Sequence, residues 1–231
     1  MKRLMILLIA AMLGLLLSRA WAQAEGDKAP AEGNKTPTCT AAKLATAATI
    51  DGKVDKDEYP AAVLTMKQTP EREAIEGAPA KARVFHDGKT LFVAITVPFK
   101  DEGMLTKGEQ WGFSDGAEIC VRDASGTVPG TTFVIHGFVT GKHECTTAGG
   151  APDDSIEKME KAIKFAAKVD KESWTGEWSI PFEALGIKYT PGMKLGFNLG
   201  ALRTEDGQWI IWRGAQGPTH QLDAGGILIL E

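Results

Sequence analysis

The sequence predicts an all-β protein, an antiparallel two-sheet β-sandwich of the jelly-roll or immunoglobulin-like kind, with about ten strands and one or two short helical turns. Three observations lead there. Short runs of alternating apolar and polar residues recur from Val63 to Leu230, bounded by Gly, Pro, Asp or Ser. Asp87-Gly88 lies between two such runs, which is among the best short hairpin signals. No self-similarity at a period of ~20–50 residues is evident, which disfavours propellers and solenoids. With 231 residues, 43% of them hydrophobic, the chain is long enough for one real core.

The first residues stand apart from that core. Lys2 and Arg3 precede an apolar run from Leu4 to Leu17, and Ala20-Trp21-Ala22 offers small residues where a signal peptidase needs them. Residues 1–22 therefore read as a signal peptide cut after Ala22, which sends the chain to the periplasm or the extracellular space. The apolar run falls short of the ~20 residues of a spanning helix, so no membrane association is expected after cleavage. Residues 23–43 are rich in Ala, Gly, Pro, Lys, Glu and Thr and read as a disordered linker, with the domain spanning 44–231. Removing Lys2, Arg3 and Arg19 from the 26 basic side chains leaves 23 against 30 acidic, a net of −7. Nucleic acid is excluded as a partner because no basic stripe is available to displace phosphate counterions. Export also implies an oxidising compartment, where Cys120 and Cys145 could bridge. Three free thiols are the equal alternative.

Along the domain, Ile50-Asp51-Gly52 reads as a short strand ending in a tight turn, and Asp55, Asp57 and Glu58 as acids at the start of a helical turn reaching Tyr59. Val63–Met66 is a strand. Lys81–His86 and Leu91–Val97 form the hairpin, which Pro98 closes. Asp115–Arg122 alternates, with Ala117, Ile119 and Val121 on one side and Glu118, Cys120 and Arg122 on the other. Thr132–Val139 returns antiparallel to it, and 141–152 reads as loop. Residues 153–162 are ambiguous, with helical spacing at Ile156, Met159 and Ile163 against strand-like alternation from Ile163 to Val169, and read as a short helical turn followed by a strand from about Ala162. Trp174–Ile180 alternates until Pro181 stops it. Met193–Leu202, Gln208–Trp212 and Gly226–Leu230 complete the set.

Six landmarks now fall in a recognisable order. They are Ile50-Asp51-Gly52 through Tyr59, the hairpin Arg83–Val97, the D-x-x-E strand at Asp115–Val121, W-x-x-E-x-x-I-P at Trp174–Pro181, Phe197-Asn198, and the closing Gly226-Ile227-Leu228. Over residues 46–231 the chain resembles family 9 carbohydrate-binding modules, β-sandwich modules found beside xylanases. The resemblance implies a non-catalytic secreted protein that binds a polysaccharide or oligosaccharide in support of carbohydrate catabolism, in association with glycan-degrading enzymes. It implies two tryptophans clamping a terminal sugar at Trp111 and Trp212, with Trp209 competing for the second place, and it allows calcium as a cofactor. Pro98, Cys120 and Arg122 depart from the family's usual residues beside Glu118, so the sugar itself is not carried over.

The residue types agree with sugar chemistry. Tryptophan offers the widest flat face for the C–H side of a pyranose. Trp174 and Trp178 share strand parity and read as packing, whereas Trp111 and Trp212 sit at loops, where binding concentrates. Glu118, Asp115, Arg203, Asn198 and Gln216 are the candidates for hydroxyl contacts. Two alternatives stand beside this reading. A glycoside hydrolase would need two carboxyls ~5–10 Å apart, yet Asp115 and Glu118 fall on opposite faces of their strand. A haem-binding electron-transfer sandwich would use His220 with Met66 or Met104. The histidines have no metal-ligand spacing.

Overall fold

The computed structural model describes residues 36–55, 58–59 and 63–231. The signal peptide, most of the linker and part of the acidic turn before Tyr59 lie outside the described residues. Among the described residues, twelve strands, one α-helix and two 3₁₀ turns form the domain. The strands are β1 (Thr38–Lys43), β2 (Leu64–Met66), β3 (Ala80–His86), β4 (Thr90–Pro98), β5 (Gly116–Asp123), β6 (Phe133–Phe138), β7 (His143–Thr146), β8 (Lys164–Val169), β9 (Ser173–Pro181), β10 (Lys194–Arg203), β11 (Gln208–Ile211) and β12 (Gly226–Leu230). The helix, α1 (Asp153–Ala162), carries Asp153 and Asp154 in its first turn, where acids complement the helix dipole.

One face is ordered β7-β6-β5-β10-β12-β1, with β11 added on β10, and the other is β1-β3-β4-β9-β8, with β2 added on β3. β1 belongs to both. Its first four residues pair with β12 and its last two pair with β3, and both pairings are parallel. The sheet is therefore mixed, which corrects the expectation of a purely antiparallel sandwich. Thr38–Lys43 was also expected within the linker. Its short run of small and polar residues orders because it finds strand partners on both sides, and Ala41 is fully buried. His143–Thr146, expected as loop, pairs with β6. Ile50-Asp51-Gly52, expected as strand, is loop instead.

Between the two faces lies the main core. Ala117, Ile119, Ile135, Leu199 and Ala201 from one face meet Val93, Ile95, Val97, Trp174, Trp178 and Ile180 from the other. Trp174 and Trp178 are fully buried, as their shared parity predicts. Trp178 reaches so far across that a Cβ on Gly137 of β6 would lie 2.3 Å from its ring, so only glycine fits there. A smaller cluster, including Tyr59, Phe85 and Phe92, covers the outer side of β3 and β4 beneath the segment from Leu44 to Val54.

That segment is fastened by Glu177 of β9. Its buried carboxylate accepts from the backbone N–H groups of Asp51, Gly52 and Lys53 at 3.0, 2.7 and 3.1 Å. Burial nevertheless pushes the Glu177 carboxyl above its ordinary range. Gly52 stands at φ +80, and a Cβ there would come within 2.8 Å of the backbone of β8, so glycine is required on both counts.

Candidate functional site

The outer side of β5, β6, β10 and β11 carries the site. Strand parity places Glu118 of β5, His136 of β6 and Gly200 of β10 in adjacent register there. A Cβ on Gly200 would lie 3.2 Å from Ile211, so its absence leaves room for the neighbouring β11 side chain. Over this floor opens a cavity of about 300 Å³, to which Glu118, His136 and Ile211 contribute the base. Trp111 and Trp209 form one wall, and Pro218, Thr219 and His220 another.

Trp111 is presented by a tight turn in which the N–H groups of Phe113 and Ser114 both donate to the Gln110 carbonyl. Gly112 supplies the left-handed conformation that the turn needs, at φ +85. The indole stacks on the His136 imidazole at 4.0 Å and 11°, and meets Trp209 edge-on at 5.3 Å and 69°. The two tryptophans touch each other, so no slot for a sugar lies between them. A ligand has to sit against the aromatic wall instead.

Below the indole runs a chain of three polar side chains. His136 Nε2 lies 3.0 Å from Glu118 Oε2, and His136 Nδ1 lies 2.8 Å from Glu144 Oε1 of β7. His136 and Glu118 are buried, while Glu144 is partly open to solvent. Neither His136 nor Glu144 figured among the sequence candidates. Cys120 lies next along the same side of β5, and burial, with Glu118 second, pushes its thiol well above the usual range.

The remaining candidates fall around the cavity. Trp212 directly follows β11, on the side opposite Trp209, packed against Phe197 and over Gly226, and so contributes to the core. An odd separation of three from Trp209 puts it there. Asn198 spends its amide on the loop that forms the second wall, donating to the carbonyls of Arg213 and Thr219 and accepting from Arg213 N–H. Asp115 accepts from the N–H groups of Thr106 and Thr204 and from the Thr204 hydroxyl, fixing the base of the Trp111 loop. Arg203 is buried in bonds to Asp206 and to the carbonyls of Glu76 and Ala78. Gln216 is exposed beside the Gly217 wall, its N–H donating to Pro70.

The three cysteines are free. Cys120 opposes Val134 and Cys145 opposes Ile135, which places the two thiols on opposite sides of the sheet and out of bridging reach. Met66 is buried in the core and Met104 is half exposed on a 3₁₀ turn, and neither lines the cavity with His220. Among the described residues, no group of three or more His, Cys, Asp and Glu is arranged to hold a metal ion.

A family model described as "Carbohydrate family 9 binding domain-like" matches residues 50–221. The chain belongs to this family. Among solved structures, it resembles a family 9 carbohydrate-binding module from Caldicellulosiruptor kristjanssonii in complex with cellotriose. That likeness has a TM-score of 0.62 at 15% identity and covers 84% of this chain and 94% of the other. A glucose complex of a family 9 module from the same organism matches with a TM-score of 0.62 at 14% identity, covering 84% of this chain and 96% of that one. A search of curated proteins found no match. At these identities the structural likeness carries the fold, an all-β sandwich-like family 9 architecture.

Proposed function

We propose that this family 9 domain is a non-catalytic carbohydrate-binding protein whose ligand sits in the cavity walled by Trp111 and Trp209. The observation that carries the reading is an apolar aromatic wall set beside a buried carboxylate, Glu118, at the base. Such a wall suits the C–H face of a pyranose, and the carboxylate is an acceptor for its hydroxyls. A volume of about 300 Å³ is at the small end of ligand sites, which suits one or two sugar rings. The family match and the cellotriose and glucose complexes of its structural neighbours support the same class of ligand.

Isothermal titration of the purified protein with cellotriose and glucose, together with a glycan array, tests the proposal. Binding that is lost in Trp111→Ala with the fold intact is the expected result, and no binding to any glycan overturns it. Export before carbohydrate capture is part of the same reading, supported by the Lys2–Ala22 pattern. A mature N-terminus at Gln23, read by mass spectrometry of the expressed protein, is the expected outcome.

A further inference from the structure

We propose that Arg72, which lies outside the cavity, is a positioning residue for the ligand: it staples the loop bearing Pro218, Thr219 and His220 to the segment beside β11 and so sets the width of the cavity. The inference rests on the carbohydrate reading for its ligand and on loop geometry for its mechanism. Among the described residues, only Arg72 and Gln216 are non-glycine residues with positive φ, at 73° and 59°. The left-handed region is costly for a residue with a Cβ, and such outliers concentrate where function needs a fixed geometry. These two meet at one junction, where the 67–75 segment touches the second wall of the cavity.

That segment bridges the floor and the wall. On one side, Gln68 exchanges backbone hydrogen bonds with Ile211 at the cavity base, at 3.2 and 2.7 Å. Its tip closes tightly, with Thr69 N–H donating to the Glu73 carbonyl and Arg72 N–H to the Thr69 carbonyl. On the other side, both backbone groups of Gly214 are taken up by side chains of the segment. Gly214 N–H donates to Gln68 Oε1 at 3.1 Å, and Arg72 Nε donates to the Gly214 carbonyl at 2.7 Å. Gln216 N–H adds a bond to the Pro70 carbonyl at 2.8 Å. A Cβ on Gly214 would lie 2.5 Å from the Thr69 carbonyl oxygen and 2.7 Å from the Arg72 nitrogen, so only glycine allows this approach. Among the described residues the Arg72 guanidinium has no carboxylate partner and makes no other hydrogen bond. A glycine at position 72 would take the same turn without strain and would leave the Gly214 carbonyl unclaimed. The strained arginine therefore serves the wall, and a wall fixed before the ligand arrives need not be ordered on binding.

Two substitutions separate the staple from charge and from strain. Glutamine carries an N–H donor at the same place along the side chain as arginine Nε, without the charge, and methionine has a similar length and no donor. Both keep a Cβ at the strained position. In isothermal titration with cellotriose, Arg72→Met should bind about tenfold more weakly, while Arg72→Gln stays within about twofold of wild type. Gly214→Ala, which drives the two loops apart, should repeat the loss with Arg72 in place. Ligand-free ¹⁵N spectra give a second readout: the Gly214, Gln216 and Thr219 amides should shift or broaden in Arg72→Met and not in Arg72→Gln, with the Trp111 indole N–H unmoved in both. Wild-type affinity in folded Arg72→Met, with only a lower melting temperature, would show a merely structural arginine and overturn the inference. Equal losses in Arg72→Met and Arg72→Gln would make the charge the active feature and overturn it as well. Should the wild type bind no glycan, the carbohydrate reading falls and the affinity claim with it, while the ligand-free spectra separately establish or refute the staple.

Discussion

Replacing Trp209 and Trp212 by alanine, one at a time, separates the two faces of β11. Trp212 lies over Gly226 so closely that a Cβ there would be 2.4 Å from its ring, and it also packs on Phe197. Truncating a buried tryptophan costs about 3–5 kcal/mol, and because Trp212 is only partly buried a cost of about 2–3 kcal/mol is expected. At roughly 2–4 °C per kcal/mol for a domain of this size, Trp212→Ala should melt about 4–12 °C lower. Trp209 instead makes an edge contact with Trp111 at 5.3 Å, worth about 0.5–1.5 kcal/mol, so its loss should cost about 1–6 °C. Trp209→Ala also removes one panel of the cavity wall and should weaken cellotriose binding at least tenfold, about 1.4 kcal/mol. Circular-dichroism melts and isothermal titration on the same preparations read both quantities. Lost binding at an unchanged melting temperature in Trp212→Ala, with wild-type binding in Trp209→Ala, would place the sugar surface on the other side of the strand and refute this assignment.

Three further outcomes are expected. Gly137→Ala forces a methyl to within 2.3 Å of the Trp178 ring and 2.6 Å of Phe165, an overpacking of about 1–3 kcal/mol or more, seen as a lower denaturation midpoint; an unaltered midpoint would mean that the two faces are less tightly apposed than they look. Burial lowers the His86 pKa against the opposing pull of the Glu231 carbonyl, which Nε2 faces at 2.7 Å, while Nδ1 accepts from Gly88 N–H. The unfolded chain therefore binds this proton more readily, so His86 stabilises above about pH 6.5 and that contribution is lost as pH falls toward the lowered folded value; pH-dependent melts of wild type and His86→Gln should diverge in that window. Asn198→Ala should loosen the 213–219 wall by removing the side chain's hydrogen bonds to the Arg213 and Thr219 backbone, costing about 1–3 kcal/mol by urea denaturation; wild-type stability and binding would remove Asn198 from that role.

Strong alternation was legible in the sequence, and so was the hairpin. β3, β4, β5, β9 and β10 all lie within a residue or two of their expected bounds, because each buries one face completely and its period cannot be mistaken. β1 and β7 were not legible, since Thr-Cys-Thr-Ala-Ala-Lys and His-Glu-Cys-Thr carry no apolar period and owe their order to neighbours remote in sequence. In the site, parity on β11 was available and separates Trp209 from Trp212. His136 was harder to see. A search for metal-ligand spacing passes over it, and its meaning depends on the register that sets it between Glu118 and Glu144.

This division bears on which residues can specify the sugar. Within W-x-x-E-x-x-I-P, Trp174 and Trp178 fill the core and Glu177 ties the I-D-G segment to the back of β9, so two of the landmarks that signal the family form one structural joint. That joint fixes the second face of the sandwich, on the side away from the cavity floor. The cavity draws instead on the outer side of β5, β6 and β11, where the chain departs from the family's usual residues at Cys120 and Arg122. A chain can therefore keep the I-D-G and W-x-x-E-x-x-I-P landmarks while its ligand changes, because the core and the I-D-G joint constrain none of the side chains at Glu118, His136 or Trp209. Exchanging those three together should alter which glycan binds on an array while circular dichroism still reports the folded β-rich domain.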